Sequence, residues 1–150
     1  MGHMGVIAVD LAGLSIQIVD DNMHMRQLIR VMLEAAGVAE IREAESGEQA
    51  WEMLQSWTPD LVLSDFMMPG MDGMELTEKI RGEDGALGRM PVIIVTGHGE
   101  TANLRRAVAV GANDFIVKPF TAGVLLGRVT RCLRDPRTIA EMVETQSSFG

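Results

Sequence analysis

Five short apolar runs alternate with five longer stretches of helical pattern along this chain, and that alternation leaves few folds open. "SIQIVD" (15–20) reads as a strand, and a helix is predicted over roughly 23–36 with Gly37 as its stop. "AEIREA" (39–44) is a weaker strand, followed by a helix over 46–57 that Ser46 opens and Pro59 limits. "DLVLSD" (60–65) precedes a helix over 73–82 that ends at Gly82. "PVIIVT" (91–96) precedes a helix over 100–110 closed by Gly111, and "DFIVK" (114–118) precedes one over 121–134. Strict strand–helix alternation calls for a parallel sheet with helices on both faces, because parallel neighbours need right-handed crossovers. "LVL" and "VIIV" are apolar without a gap, as strands buried on both faces must be.

A sheet of this kind binds ligands beyond the carboxyl ends of its strands. The residues falling there are Asp20 and Asp21, Glu43, Asp65, Thr96 and Lys118. If Asp20, Asp21 and Asp65 converge, each close carboxylate pair repels by about 4 kcal/mol at an effective dielectric of ~20, and protons or a cation must relieve it. Oxygen ligands with no His or Cys beside them favour a hard ion such as Mg2+ over zinc. A hydroxyl (Thr96) and an ammonium (Lys118) at neighbouring strand ends would then serve phosphate oxygens. A carboxylate is also a nucleophile in phosphoryl transfer, so the set describes a phosphoryl-accepting site that works by positioning and charge neutralisation.

Each residue alone has a plainer reading. Asp20 and Asp21 suit the start of a helix as solvated acids. Thr96 suits a turn, Lys118 before Pro119 a solvated loop, and His98 a surface loop. Met67, Met68, Met71 and Met74 suit packing, since thioethers prefer soft metals. The joint reading gains because acid, acid, hydroxyl and ammonium all fall at carboxyl ends of parallel strands.

Composition narrows the partners. With 13 basic and 21 acidic residues in 150, the net charge of −8 repels nucleic acid. The single cysteine, Cys132, forbids an internal disulfide and fits a reducing compartment, so a cytoplasmic location is expected. No apolar run is long enough for a membrane span, and no membrane insertion is expected.

The ordered set "VDDN" (19–22), "SDFMMPGMDG" (64–73), "VTGHG" (95–99) and "VKPF" (117–120) resembles the receiver domain of bacterial two-component response regulators, the CheY-like family. The resemblance covers about residues 14–134. It implies an α/β, doubly wound, five-stranded parallel sheet of flavodoxin-like order 2-1-3-4-5 with five helices. It makes Asp65 the phosphoacceptor, with Mg2+ held by Asp21, Asp65 and the backbone carbonyl of Met67, and by Asp20 directly or through water. Lys118 would contact the carboxylate and then the phosphoryl group, and the Thr96 hydroxyl would move to bond it. Gly97 matches a small residue beside the phosphoryl oxygens, and Phe115 the switch aromatic. Met67 and His98 match positions that tune hydrolysis of the acyl phosphate. Pro69 and Gly73 shape the apolar turn, which is expected to fold back over the site.

The function implied is that of a phosphoacceptor in a two-component system or phosphorelay, loaded by a histidine kinase or histidine phosphotransfer protein. Beyond transfer to Asp65 and hydrolysis there, no enzymatic activity is expected. A Mg2+-dependent phosphohydrolase is one alternative, but Met67 stands where haloacid-dehalogenase-type enzymes want a second Asp. A receiver-like binding module without phosphorylation is another, and the complete set of acids, Thr96 and Lys118 argues against it. The leading Met-Gly-His-Met reads as an expression scar within a leader over 1–13, and no output domain is expected after the receiver. Signalling is therefore expected through contacts with a downstream protein. Between 105 and 137 seven basic residues face two acids, a +5 segment. Arg128, Arg131 and Arg134 share one helix face there, either completing the helix dipole or forming a docking surface. Beyond it, 135–150 has Ile139, Met142 and Val143 at helical spacing, so a short helix packed beside that face is expected.

Overall fold

The computed structural model describes residues 11–149, with side chains described to residue 145. The Met-Gly-His-Met stretch lies outside the described residues. Five parallel strands, β1 (Ser15–Val19), β2 (Glu40–Ala44), β3 (Leu61–Asp65), β4 (Val92–Thr96) and β5 (Asp114–Val117), form one sheet in the order β2-β1-β3-β4-β5. The expected α/β architecture and strand order are those observed.

The helices are α1 (Met23–Ala35), α2 (Gly47–Leu54), α3 (Gly73–Arg81), α4 (Gly85–Gly88), α5 (Thr101–Val110), α6 (Ala122–Arg134) and α7 (Ile139–Phe149). That is seven among the described residues where five were expected in the domain. α4 is a single turn in the α3–β4 connection, too short to leave an amphipathic pattern. α7 lies in the segment after Pro136, where a short helix was expected. α2 stops at Leu54 rather than 57, because Thr58 precedes a proline and the chain must leave helical geometry before it.

Alternation along each strand splits the core in two. Val19, Val62, Val92 and Ile94 face α2, α3 and α5, where they meet Ala50, Leu54, Met74, Ile80 and Ala107. Ile16, Ile18, Leu61, Leu63, Ile93 and Val95 face α1 and α6, meeting Ile29, Leu33, Leu125, Val129 and Cys132. Both faces of β3 and β4 are therefore dry, which accounts for their unbroken apolar runs. Leu11 is also buried in the second cluster, so the packed unit begins a little before residue 14. Among the described residues no helix is long and apolar enough to cross a membrane.

Caps set where the helices begin. Asn22, Ser46 and Thr121 each accept a backbone N–H three residues on, and Asp72 and Glu75 form a reciprocal capping box at α3. α5 ends at Gly111 with φ +90, a left-handed geometry that suits glycine.

Candidate functional site

Parallel strands in register bring their carboxyl ends together, and the side chains just past those ends form one cluster. Asp20, Asp21 and Asp65 each offer a carboxylate oxygen, and these oxygens lie within 4.8 Å of one another. Asp20 is buried after β1 and Asp21 is exposed, while Asp65 ends β3 with 9% of its surface open. Lys118 reaches in from the end of β5, its Nζ donating to Asp20 Oδ2 at 3.2 Å and Asp65 Oδ1 at 3.3 Å. Its backbone N–H donates to the Thr96 carbonyl at 2.7 Å, so β5 is still paired with β4 where the lysine leaves it. The Asn22 N–H donates to Asp20 Oδ1 at 2.9 Å, and the Arg26 guanidinium donates to the Asp20 carbonyl at 2.7 Å. These bonds hold Asp20 against the sheet.

One ammonium does not balance three carboxylates. Burial pushes the Asp65 carboxyl up to about 6, the Asp20 charge adds to that, and Lys118 pulls part of it back. A group of oxygens so close and so short of positive charge fits a hard divalent ion, and Mg2+ takes one or two carboxylates while keeping waters or phosphate oxygens. The donor set fits Mg2+ and contains no soft ligand.

The turn after Asp65 is anchored in the core by two of its side chains. Phe66 and Met68 are buried in the core, whereas Met67 between them is 51% exposed. Glu48 pins the turn further on, accepting from the Met71 N–H at 3.0 Å. Gly73 fits closely against β3: its N–H donates to the Phe66 carbonyl at 2.9 Å, and a Cβ there would collide with the Asp65 carbonyl oxygen. Sequence spacing singled out Gly73, but nothing in it tied Glu48 to this turn.

Thr96 is fully buried at the end of β4, and its Oγ1 accepts from the His98 N–H at 2.9 Å. Gly97 and His98 are exposed, and a Cβ at Gly97 would meet nothing within 4 Å. Phe115 is half-buried on β5 beside Ile94, on the same sheet face as Thr96. Glu43, also a strand-end acid, is not part of the cluster. It accepts from Arg26 Nε at 2.9 Å and Arg30 Nε at 2.6 Å on α1. The three arginines of α6 are separated too. Arg128 and Arg131 hold Asp114 at 2.8 and 3.0 Å, while Arg134 is exposed.

The family model described as the response regulator receiver domain matches residues 16–130. The chain belongs to the response regulator receiver family. It is 39% identical over 124 residues to the phosphate regulon transcriptional regulatory protein PhoB of Pseudomonas aeruginosa, covering 83% of this chain and 53% of that protein. It is 40% identical over 126 residues to the C4-dicarboxylate transport transcriptional regulatory protein DctD of the same organism, covering 83% of this chain and 26% of that protein. The chain thus spans about half or less of these two relatives. Among solved structures, the receiver domain of a Syntrophus aciditrophicus signal transduction histidine kinase superposes with TM-score 0.75 at 33% identity, covering 81% of this chain and 91% of that one. Vibrio cholerae chemotaxis protein CheY4 superposes with TM-score 0.73 at 30% identity, covering 80% and 98%.

Proposed function

We propose that this receiver accepts a phosphoryl group on Asp65 from a phosphohistidine of a kinase or phosphotransfer protein. The observation that carries the reading is the triad of carboxylates within 4.8 Å, bridged by a single lysine. A carboxylate oxygen of Asp65 forms the new O–P bond as the P–N bond to the donor imidazole breaks, the nitrogen keeping the bonding pair. Asp20, Asp21 and Asp65 would hold Mg2+ together with the Met67 carbonyl, and the ion would supply the charge neutralisation an anionic phosphoryl group needs. Lys118 stays beside the acceptor and follows the transferred oxygens, and the Thr96 hydroxyl, with Gly97 N–H, supplies donors to them. The exposed Met67 side chain and His98 flank the approach of a hydrolytic water. The functional unit is residues 14–134 with the segment 135–150 as an appendage, working in the cytoplasm through protein contacts, Arg128, Arg131 and Arg134 among them.

Incubation with acetyl phosphate and Mg2+, read by intact mass, tests this. One phosphoryl adduct is expected on the wild-type chain and none on Asp65→Asn or in excess chelator. An adduct that survives either change overturns the assignment. Asp21→Asn removes one charge within 4.8 Å of its neighbours, worth about 1–4 kcal/mol to a bound cation. Mg2+ binding should weaken accordingly while the metal-free protein melts no lower than wild type. A clear fall in that melting temperature would make Asp21 a structural acid instead.

A further inference from the structure

The segment after α6 closes off a cavity at the amino ends of β4 and β5. Asn113, just before β5, donates through Nδ2 to the Pro136 and Arg137 carbonyls at 2.7 and 3.2 Å. The Ile139 N–H donates to the Ala112 carbonyl at 2.9 Å, and the Ile139 side chain packs against the core. Thr138 and Glu141 then start α7 with a reciprocal pair of bonds, 2.8 and 3.1 Å. Between this entry and the stretch leading from α3 into β4 lies a cavity of about 590 Å³, a size that suits a small organic ligand. It sits at the end of the sheet opposite Asp65. Pro136, Arg137, Thr138 and Glu141 form one wall, outside the residues 16–130 that the family model matches, so the receiver core alone does not close it.

The charge on its walls is unbalanced. The half-buried Arg81 guanidinium donates to the carbonyls of Gly111, Gly88 and Met90 and to Asn113 Oδ1, at 2.7 to 3.2 Å. All four acceptors are neutral, and one of its five N–H donors is left over among the described residues. Burial pulls the Arg81 pKa down, and the Glu141 charge works against that without touching the guanidinium. Arg89 also lines the cavity, is exposed, and makes no ion pair among the described residues. Arg137 is already held by both oxygens of Asp135. With that pair cancelled, Arg81 and Arg89 face one carboxylate, Glu141, which leaves a single positive charge over. We propose that this cavity binds a small organic monocarboxylate, its carboxylate between Arg81 and Arg89 and its apolar body against Pro91 and Pro136. A monoanion neutralises the wall, and a planar carboxylate suits the guanidinium fork. Arg81 is held in place beforehand by its four acceptors, so it loses little freedom on binding. A dianion such as phosphate would bring excess charge toward Glu141. The ligand touches the receiver core at Arg81 and Pro91 and the tail at Pro136, so it fastens α7 to the domain.

The probe is sodium benzoate, titrated into the full chain in the presence of chelator and followed by backbone amide NMR shifts. Saturable shifts at Arg89, Asn113 and Thr138 are expected, with a Kd of about 1 mM. Amide exchange in α7 should slow about fivefold once benzoate is several times its Kd. Arg89→Gln alters an exposed side chain and should weaken binding about fivefold. Glu141→Gln keeps the oxygen that caps α7 while removing the charge, and should tighten binding by a similar factor. Benzyl alcohol, neutral and of similar shape, should bind at least about tenfold more weakly. Shifts that do not saturate, that centre on Asp65 and Lys118, or that respond to neither variant overturn the proposal. Equal binding of benzyl alcohol would reduce the cavity to an apolar crevice, and tighter binding of inorganic phosphate would overturn the carboxylate assignment.

Discussion

Glu43 and Asp65 are both acids at the carboxyl ends of parallel strands, on either side of β1, and the molecule treats them in opposite ways. Glu43 has two guanidiniums to itself, at 2.9 and 2.6 Å. Burial raises its carboxyl, but the hydrogen bonds from Arg30 and Arg26 outweigh that and lower it from the ordinary value. Asp65 shares one ammonium with Asp20 and is pushed up to about 6, first by burial and then by the Asp20 charge. A carboxylate with surplus positive charge is a finished contact that holds α1 to β2. A carboxylate with a deficit is poised to take a proton, a cation or a phosphoryl group. Location at a strand end puts an acid in the right region, and the local charge balance decides its use.

The largest effect that could break this comparison is in the pH dependence of stability. Metal-free native Asp65 keeps its proton to about pH 6, against an ordinary value of 3.8. Between those values the native state holds more protons than the unfolded chain, so stability falls as pH rises. The stabilisation is complete below about pH 4 and is lost through about pH 6, amounting to up to about 3 kcal/mol. Glu43, with its lowered value, contributes stability above its ordinary titration range and loses it as pH falls. Chelated protein melted across this range should show the decline, and Asp65→Asn or added Mg2+ should flatten it. A decline of equal slope in Asp65→Asn would mean that Asp65 is as well compensated as Glu43.

The difference between the two acids also marks what was legible in the sequence. Strand–helix alternation and the strand ends located Asp20, Asp21, Asp65, Thr96 and Lys118, because a parallel sheet in register brings those ends together whatever the side chains are. Glu43 satisfied the same positional rule. Its partners Arg26 and Arg30 come from α1, and which turn of a helix faces an edge strand is a matter of packing. Phe66 and Met68 were hidden for the same reason, since a run of apolar residues does not say which of them reach the core. α7 had the spacing of a helix, yet its seat rests on Ala112 and Asn113, more than twenty residues away in sequence.

A smaller effect tests the Glu43 side. Glu43→Gln keeps the shape but removes the charge that both guanidiniums share, and Arg26 retains only 11% side-chain exposure to find water instead. The expected loss is about 1–2 kcal/mol of stability, with Mg2+ affinity unchanged. Denaturant unfolding with and without Mg2+ reads both. Equal stability would reduce the arginine pair to surface decoration, and weakened Mg2+ binding would draw Glu43 into the metal site.

The smallest effect concerns Asp114, a third acid, held like Glu43 by two guanidiniums. Arg131 also donates to the Asn113 carbonyl at 2.7 Å and touches Met142, so it is built into the edge that seats α7. Arg128 is 43% exposed, and water and salt screen its pair with Asp114. Arg128→Ala should therefore lower stability by only about 0.5 kcal/mol, because Arg131 still holds the carboxylate. In about 1 M salt even that difference should fade. Thermal melts at low and high salt decide it. A loss above about 1.5 kcal/mol that persists in salt would make Arg128 a structural partner in the manner of Arg26. A small, salt-sensitive loss leaves its guanidinium free to turn toward an acidic partner without disturbing β5, which a docking residue on this edge requires.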